Sequence, residues 1–220
     1  MALLSKSDAD YLRAHFGQNL EKPVVLMLFT RTDGCQYCND TELILSELAE
    51  LSDLISLEVV DYDRDAELAD GYNIWLVPGI AILRVEDSQR IDHGIRYFGI
   101  PAGYEFSSLV EDVIFVSKGD SGLSDDSRNR LASITTPTEI KIFVTPSCPH
   151  CPRAVSLAHR FAIENEKIRS CMIEAIEFPD LSEKYGVYAV PKIVINDSYE
   201  FEGAYPESMF VDEILKSVSS

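Results

Sequence analysis

Two hydrophobic periods take turns along this chain, and the switch between them happens twice in the same order. Runs of β-branched and aliphatic residues at 24–30 and 140–145 predict buried strands, and each gives way within a few residues to apolar positions at helical spacing. In the second case these positions are Ala154, Val155, Leu157, Ala158, Phe161 and Ala162; in the first they are Leu43, Ile44, Leu48 and Leu51. A helix so patterned packs one face on a sheet. Strands over 55–62 and 171–178 follow, then short acidic helices over 66–72 and 181–185. After a Val-Pro step come strand pairs at 79–85 with 94–98, and at 192–195 with 199–203. Each half opens on a segment beginning Ser-Asp, at Ser7-Asp8 and Ser124-Asp125, and closes with an apolar-periodic helix, 106–116 and 209–218.

This recurrence has a fixed spacing. Sliding the chain by 113 residues puts Cys35 on Cys148, Cys38 on Cys151, Tyr72 on Tyr185, Val77 on Val190 and Pro78 on Pro191. The chain reads as a tandem duplication of one α/β unit, 1–118 and 119–220, with the boundary in the turn-forming stretch SKGDSG at 117–122. Each unit is a βαβ followed by a helix and a ββα segment, a central mixed sheet flanked by helices.

Composition narrows the partners. Over 220 residues, 46% hydrophobic and 25% charged side chains make an ordinary buried core, and a net charge of -18 repels phosphate backbones and anionic lipid. Nucleic acid and membrane surfaces are therefore excluded as expected partners. The first ten residues lack a basic stretch followed by a long apolar run, and no apolar run nears the roughly 18 residues that span a bilayer, so the expected compartment is the cytoplasm.

Five cysteines form two Cys-x-x-Cys pairs, Cys35/Cys38 and Cys148/Cys151, with Cys171 left over. A disulfide across so short a loop stabilises a fold by only about 2 kcal/mol, which makes chemistry a better reason for it than stapling. Zinc ribbons space their pairs by about 15–20 residues. Here 109 residues intervene, and no metal site is expected. Cys171, at the start of an apolar stretch, reads as a buried small hydrophobe, and His15, His93 and His159 read as ordinary helix or loop residues.

A strand, a Cys-x-x-Cys at a helix start, and a Val-Pro forty residues beyond the second Cys, in WLVPGI and again in YAVPKI, resemble the thioredoxin fold. Two such units in one chain look like the protein disulfide oxidoreductases of thermophiles, which are glutaredoxin-like proteins of two tandem thioredoxin folds. The resemblance implies a cis peptide bond before Pro78 and before Pro191, no metal and no organic cofactor. Thioredoxins proper carry a buried Asp six residues before the first Cys; here those positions are Phe29 and Ile142, nearer to glutaredoxins. Asp33, Glu174 or a water then remain as acceptors for the proton of the second Cys.

Thiol–disulfide exchange needs a thiolate to attack a disulfide sulfur and a second thiol to resolve the mixed disulfide. At a helix start the first sulfur faces free backbone N–H groups and the positive end of the dipole, so Cys35 and Cys148 read as nucleophiles, Cys38 and Cys151 as resolvers. A thiol pKa lowered from about 8.5 to about 3.5 amounts to roughly 7 kcal/mol, of which a helix dipole gives at most about 2. The intervening residues supply much of the rest. Pro149 and His150 form the dipeptide found in DsbA-type oxidases, whereas Gln36 and Tyr37 bring no cation. The second dithiol is thus expected to be the more oxidising and dominant one. Pro149 suits the first helical position, and Pro152 predicts a tightened or bent first turn. Val77 with Pro78 and Val190 with Pro191 are expected to present backbone bonds to extended substrates.

Glutathione carries two carboxylates, and near the second site only Arg153 and Lys192 stand out to receive them, so protein disulfides are the expected substrates. The alternative within redox chemistry is a relay from a thioredoxin-reductase-like flavoprotein to a peroxiredoxin. The alternative from another class is a thioredoxin-fold chaperone with redox-inactive cysteines.

Overall fold

A computed structural model describes residues 4–219, so the outermost residues of the expected units 1–118 and 119–220 lie outside the described residues. The first half contains α1 (Lys6–Asn19), β1 (Val24–Thr30), α2 (Cys38–Ala49), β2 (Ile55–Asp61), α3 (Ala66–Gly71), β3 (Gly79–Glu86), β4 (Gln89–Phe98) and α4 (Glu105–Lys118). The second repeats the order with α5 (Asp125–Leu131), β5 (Thr138–Val144), α6 (Cys151–Glu164), β6 (Ile168–Glu174), α7 (Pro179–Lys184), β7 (Lys192–Ile195), β8 (Tyr199–Glu202) and α8 (Glu207–Val218). No described helix is long and apolar enough to cross a membrane.

The two sheets expected from the sequence are one. Eight strands run in the order β2-β1-β3-β4-β6-β5-β7-β8, joined where β4 pairs parallel with β6 from Ile95↔Ser170 to Phe98↔Ile173. Each half thus covers the other's open edge, which protects both from pairing with foreign strands. Side chains alternate across this sheet. Val24, Leu26 and Leu28 join a core with α1, α2, α4, α5, α6 and α8, while Val25, Met27 and Phe29 join a second core under the short α3 and α7.

Several expected boundaries move for identifiable reasons. Segment 171–178 is not a strand throughout. Pairing with β5 starts β6 at Ile168, and the chain leaves the sheet after Glu174, so the apolar Ile176 and Phe178 serve the loop that follows. The first helix is capped by Ser5 rather than Ser7, its hydroxyl accepting from the Asp8 N–H, as Ser124 accepts from Ser127 N–H in α5. Stretch 117–122 is tied to both halves: Ser117 Oγ accepts from the Glu21 and Lys22 N–H groups at 2.9 and 3.0 Å, and Ser121 donates to Glu164. Gly119 takes the left-handed conformation that ends α4.

The spacing of 113 does not extend to the first strand. β1 and β5 are both seven residues long and stand 114 apart, so the loop before Cys35 carries one residue more than the loop before Cys148. Gly34, at φ 75°, lies in that longer loop. Phe29 and Ile142 therefore point to opposite faces; the residue sharing a face with Ile142 is Leu28. Both are apolar, so the place of the thioredoxin Asp is empty of acid on either alignment.

Candidate functional site

Parallel strands β1 and β5 end at the same edge of the sheet, and at each end a Cys-x-x-Cys leads into a helix. Both pairs are disulfide-bonded. The helices start on the second cysteine, with Tyr37 and His150 at the N-caps, so Pro149 precedes the helix instead of occupying its first position. Pro152 falls on the second helical position, where an N–H has no intrahelical partner to lose, and α6 continues uninterrupted to Glu164. The expected distortion is absent for that reason.

At the second site Cys148 is 7% exposed and Cys151 fully buried. Cys148 Sγ accepts from the Cys151 N–H at 3.2 Å and lies 3.7 Å from the Val190 carbonyl oxygen, while Pro191 is buried alongside. A sulfur so placed feels the unsatisfied N–H groups and positive end of α6. Pro149 and His150 are exposed around it. Pro149 borders a cleft of about 510 Å³ with Tyr104, Pro152 and Arg153.

At the first site Cys35 is half-buried and its Sγ has no N–H donor among the described residues, in keeping with the longer loop. Cys35, Gln36, Tyr37, Val77 and Pro78 line one cleft of about 700 Å³. Val77-Pro78 and Val190-Pro191 are both cis. Tyr188, the counterpart of Trp75, is 95% exposed, whereas Trp75 is half-buried with its ring 4.8 Å from that of Phe98.

Of the two acids considered for the resolving proton, Asp33 is exposed. Glu174 is buried at the seam of the halves, where it accepts from the Glu177 N–H at 2.6 Å and burial raises its pKa. Gly99 packs on it so closely that a Cβ there would sit 2.6 Å from Glu174 Cβ. Two acids escaped the sequence reading. Glu105, in the first turn of α4, is 1% exposed; burial and the Asp112 charge push its pKa up to about 7 against a hydrogen bond from Ser108 Oγ of 2.7 Å. Its Oε1 has no hydrogen-bond partner among the described residues. Glu177 is half-buried in the first-site cleft, and burial, with the neighbouring Glu174, likewise raises it to about 7.

Glu105 lies in the first turn of α4, a helix of the first half that packs on α6, which carries Cys151. Ser156 Oγ donates to Glu111 at 3.0 Å and His159 Nδ1 meets Asp112 Oδ2 at 2.5 Å, contacts that join positions 45 and 47 apart. The helices α4 and α6 therefore run parallel, Glu105 standing in the first turn of the one and Cys151 at the first position of the other. The Tyr104 N–H donates to the Pro146 carbonyl at 3.0 Å, which fastens the start of α4 to the loop before Cys148. A polar stripe of Glu105, Ser108 and Asp112 at helical spacing within α4 was the available signal.

Three single residues differ from expectation or sharpen it. His159 is not an ordinary helix residue: fully buried, it bonds Asp112, which also accepts from Tyr97 Oη. Lys192, counted as a possible carboxylate receiver, is 5% exposed and committed to Glu200 at 3.0 Å and to the Gly186 carbonyl. Cys171 is a free, buried thiol whose pKa burial pushes up to about 12.

Comparison with known proteins places this geometry. The thioredoxin domain family matches residues 138–216. The crystal structure of a protein disulfide oxidoreductase from Aeropyrum pernix superposes with a TM-score of 0.88 at 33% identity, covering 98% of this chain and 94% of that one. The N-terminal domain of the alkylhydroperoxide reductase AhpF from Enterococcus faecalis also gives 0.88, at 25% identity, with 96% and 99% covered. An alkyl hydroperoxide reductase protein of Pseudomonas aeruginosa is 32% identical over 129 residues, 59% of this chain, and the matched stretch is 24% of that protein.

Proposed function

As a member of the thioredoxin-fold protein disulfide oxidoreductases, this chain is a thiol–disulfide oxidoreductase, and we propose that it acts on protein disulfides through Cys148 with Cys151 and through Cys35 with Cys38. The observation that carries this reading is the seat of Cys148 Sγ, between the Cys151 N–H and the Val190 carbonyl at the start of α6. The donor favours a thiolate, and the open carbonyl edge beside it is where an extended substrate pairs.

In the reducing direction Cys148 thiolate attacks a substrate disulfide and releases one substrate thiolate. Glu105 as carboxylate takes the proton of Cys151, whose thiolate then attacks Cys148 Sγ and releases the second thiol. Two electrons pass to the substrate, and the reverse sequence oxidises a dithiol. Pro149 and His150 favour the Cys148 thiolate, whereas Gln36 and Tyr37 leave Cys35 weaker, so the second dithiol dominates. No metal or organic cofactor takes part in these steps, and the cytoplasm is the proposed compartment.

A second reading has the dithiols carry electrons from a thioredoxin-reductase-like flavoprotein to a peroxiredoxin. It is favoured by the relatives named as alkyl hydroperoxide reductases, of whose length this chain spans a quarter to a third. Glutathione-buffered titration of each dithiol, with Ser at the other pair, separates the two. A Cys148/Cys151 potential around -120 to -180 mV means formation or reshuffling of disulfides; one near -270 mV means delivery of electrons. If replacing all four cysteines leaves activity toward substrates intact, the oxidoreductase reading of these sites is wrong and a binding module remains.

A further inference from the structure

The two dithiols differ in what stands opposite them. β6 lies between β4 and β5, so the turn that leaves it, residues 176–179, comes down over the first half and walls the cleft that holds Cys35. The counterpart turn of the first half, after β2, sits at the outer edge of the sheet, away from Cys148. This is why Trp75 is half-buried in a cleft and its counterpart Tyr188 stands 95% exposed.

The walls of the first cleft are aromatic: Tyr37, Tyr62 and Trp75 on one side, Phe178 on the other. Its cation is already occupied. Arg31 pairs with Asp63 at 3.0 Å and stands over the Tyr62 ring, 4.6 Å from its centroid, so its charge is already met by a carboxylate and a ring face. Glu177, whose Oε1 accepts from the Ile100 N–H at 2.5 Å, also lines this space, in a chain of net charge -18. The volume of about 700 Å³ suits a peptide side chain and its flanking backbone.

We propose that the first dithiol selects extended peptide disulfides with an aromatic side chain beside the cysteine and without a carboxylate there, and that the 176–179 wall of the second half makes the selection. This rests on the proposed chemistry of Cys35 and Cys38. Cys35 thiolate attacks the peptide sulfur, the leaving thiolate departs, and Cys38 closes the protein disulfide as the peptide thiol is released. Two electrons leave the dithiol and both substrate thiols are accounted for.

The test uses the full chain with Cys148→Ser and Cys151→Ser, reduced, then mixed in single turnover with Ala-Phe-Cys-Ala, Ala-Gly-Cys-Ala and Ala-Asp-Cys-Ala as mixed disulfides of nitrothiophenol, whose release is followed by absorbance. The Phe peptide should react about fivefold faster than the Gly peptide, the worth of one aromatic contact, and the Asp peptide slowest. Phe178→Ala should bring the Phe peptide to the Gly rate. Ile176→Lys, at a position 67% exposed and tolerant of charge, should raise the Asp peptide toward the Gly peptide. The chain with Cys35→Ser and Cys38→Ser should show neither ordering. Equal rates for the three peptides at the first dithiol would overturn the inference alone, whereas no reaction with any of them would overturn the chemistry assigned to Cys35 as well.

Discussion

His159 Nδ1 lies 2.5 Å from Asp112 Oδ2, with both side chains wholly buried between α6, which carries the second dithiol, and α4 of the first half. Tyr97 of β4 donates to the same carboxylate, and its ring meets that of His159 edge-on at 5.0 Å between centroids. One carboxylate on α4 thus gathers donors from β4 and α6 across the join of the halves.

Removing that carboxylate leaves two buried donors without their acceptor. At about 1–3 kcal/mol for each unsatisfied group, Asp112→Ala should destabilise the protein by about 2–6 kcal/mol. Urea unfolding measures this directly. A loss below about 1 kcal/mol would mean that the network contributes little to holding the halves together.

Glu105 predicts a pH dependence of stability with a definite sign. Its carboxyl keeps a proton in the folded state up to about pH 7, whereas an ordinary glutamate loses it near 4.5. Between those values the folded state binds more protons than the unfolded chain, so stability falls as pH rises through the window. For a side chain so fully buried the loss is about 3 kcal/mol, and Glu105→Gln should remove that share of the slope while leaving the share of Glu177, which burial also raises to about 7. The same variant should slow resolution of the Cys148 mixed disulfide about a hundredfold above pH 7, read in single turnover. A flat pH profile in the parent protein would take away the premise of both outcomes.

What could be read in the sequence followed the range of the interactions. Strand β1, helix α6 and the placing of both dithiols are local facts, set by the runs at 24–30 and 154–162 and by Cys-x-x-Cys itself. The cis bonds at Pro78 and Pro191 came with the family resemblance. The single sheet did not, because the β4–β6 pairing has no local signature: Ile95 and Ser170 look like residues of any strand. Glu177 was invisible for the same reason, since it serves the Cys35 cleft from the other half of the chain. The apolar alternation that extended the strand to 178 was a real pattern with another use, as Ile176 and Phe178 stand in the wall of that cleft.

Cys171 offers a simple count. It is the free thiol of the oxidised chain, it is fully buried, and burial pushes its pKa up to about 12. Iodoacetamide at pH 8 should therefore leave the folded oxidised protein unlabelled and add one group per chain in denaturant, as read by mass. Rapid labelling of the folded chain at Cys171 would show that the core under α7 opens readily.

The sheet also decides whether the two dithiols can trade electrons inside one chain. Passing from β1 to β5 crosses four strand spacings, and at about 4.8 Å each the dithiols stand about 19 Å apart along the sheet. A disulfide needs Cα atoms within about 7 Å, and each strand between them is hydrogen-bonded to its neighbours, which holds the dithiols beyond that distance. With Cys38→Ser and Cys151→Ser, dilute oxidation should give no intramolecular Cys35–Cys148 bond, and mass spectrometry of the digest reads the product. Any transfer between the sites then requires a carrier, either a substrate held first at one site and then at the other or a second copy of the chain. In that case the rate of relay rises with protein or carrier concentration, whereas a bond found between Cys35 and Cys148 at high dilution would establish direct exchange and require the sheet to open between β1 and β5.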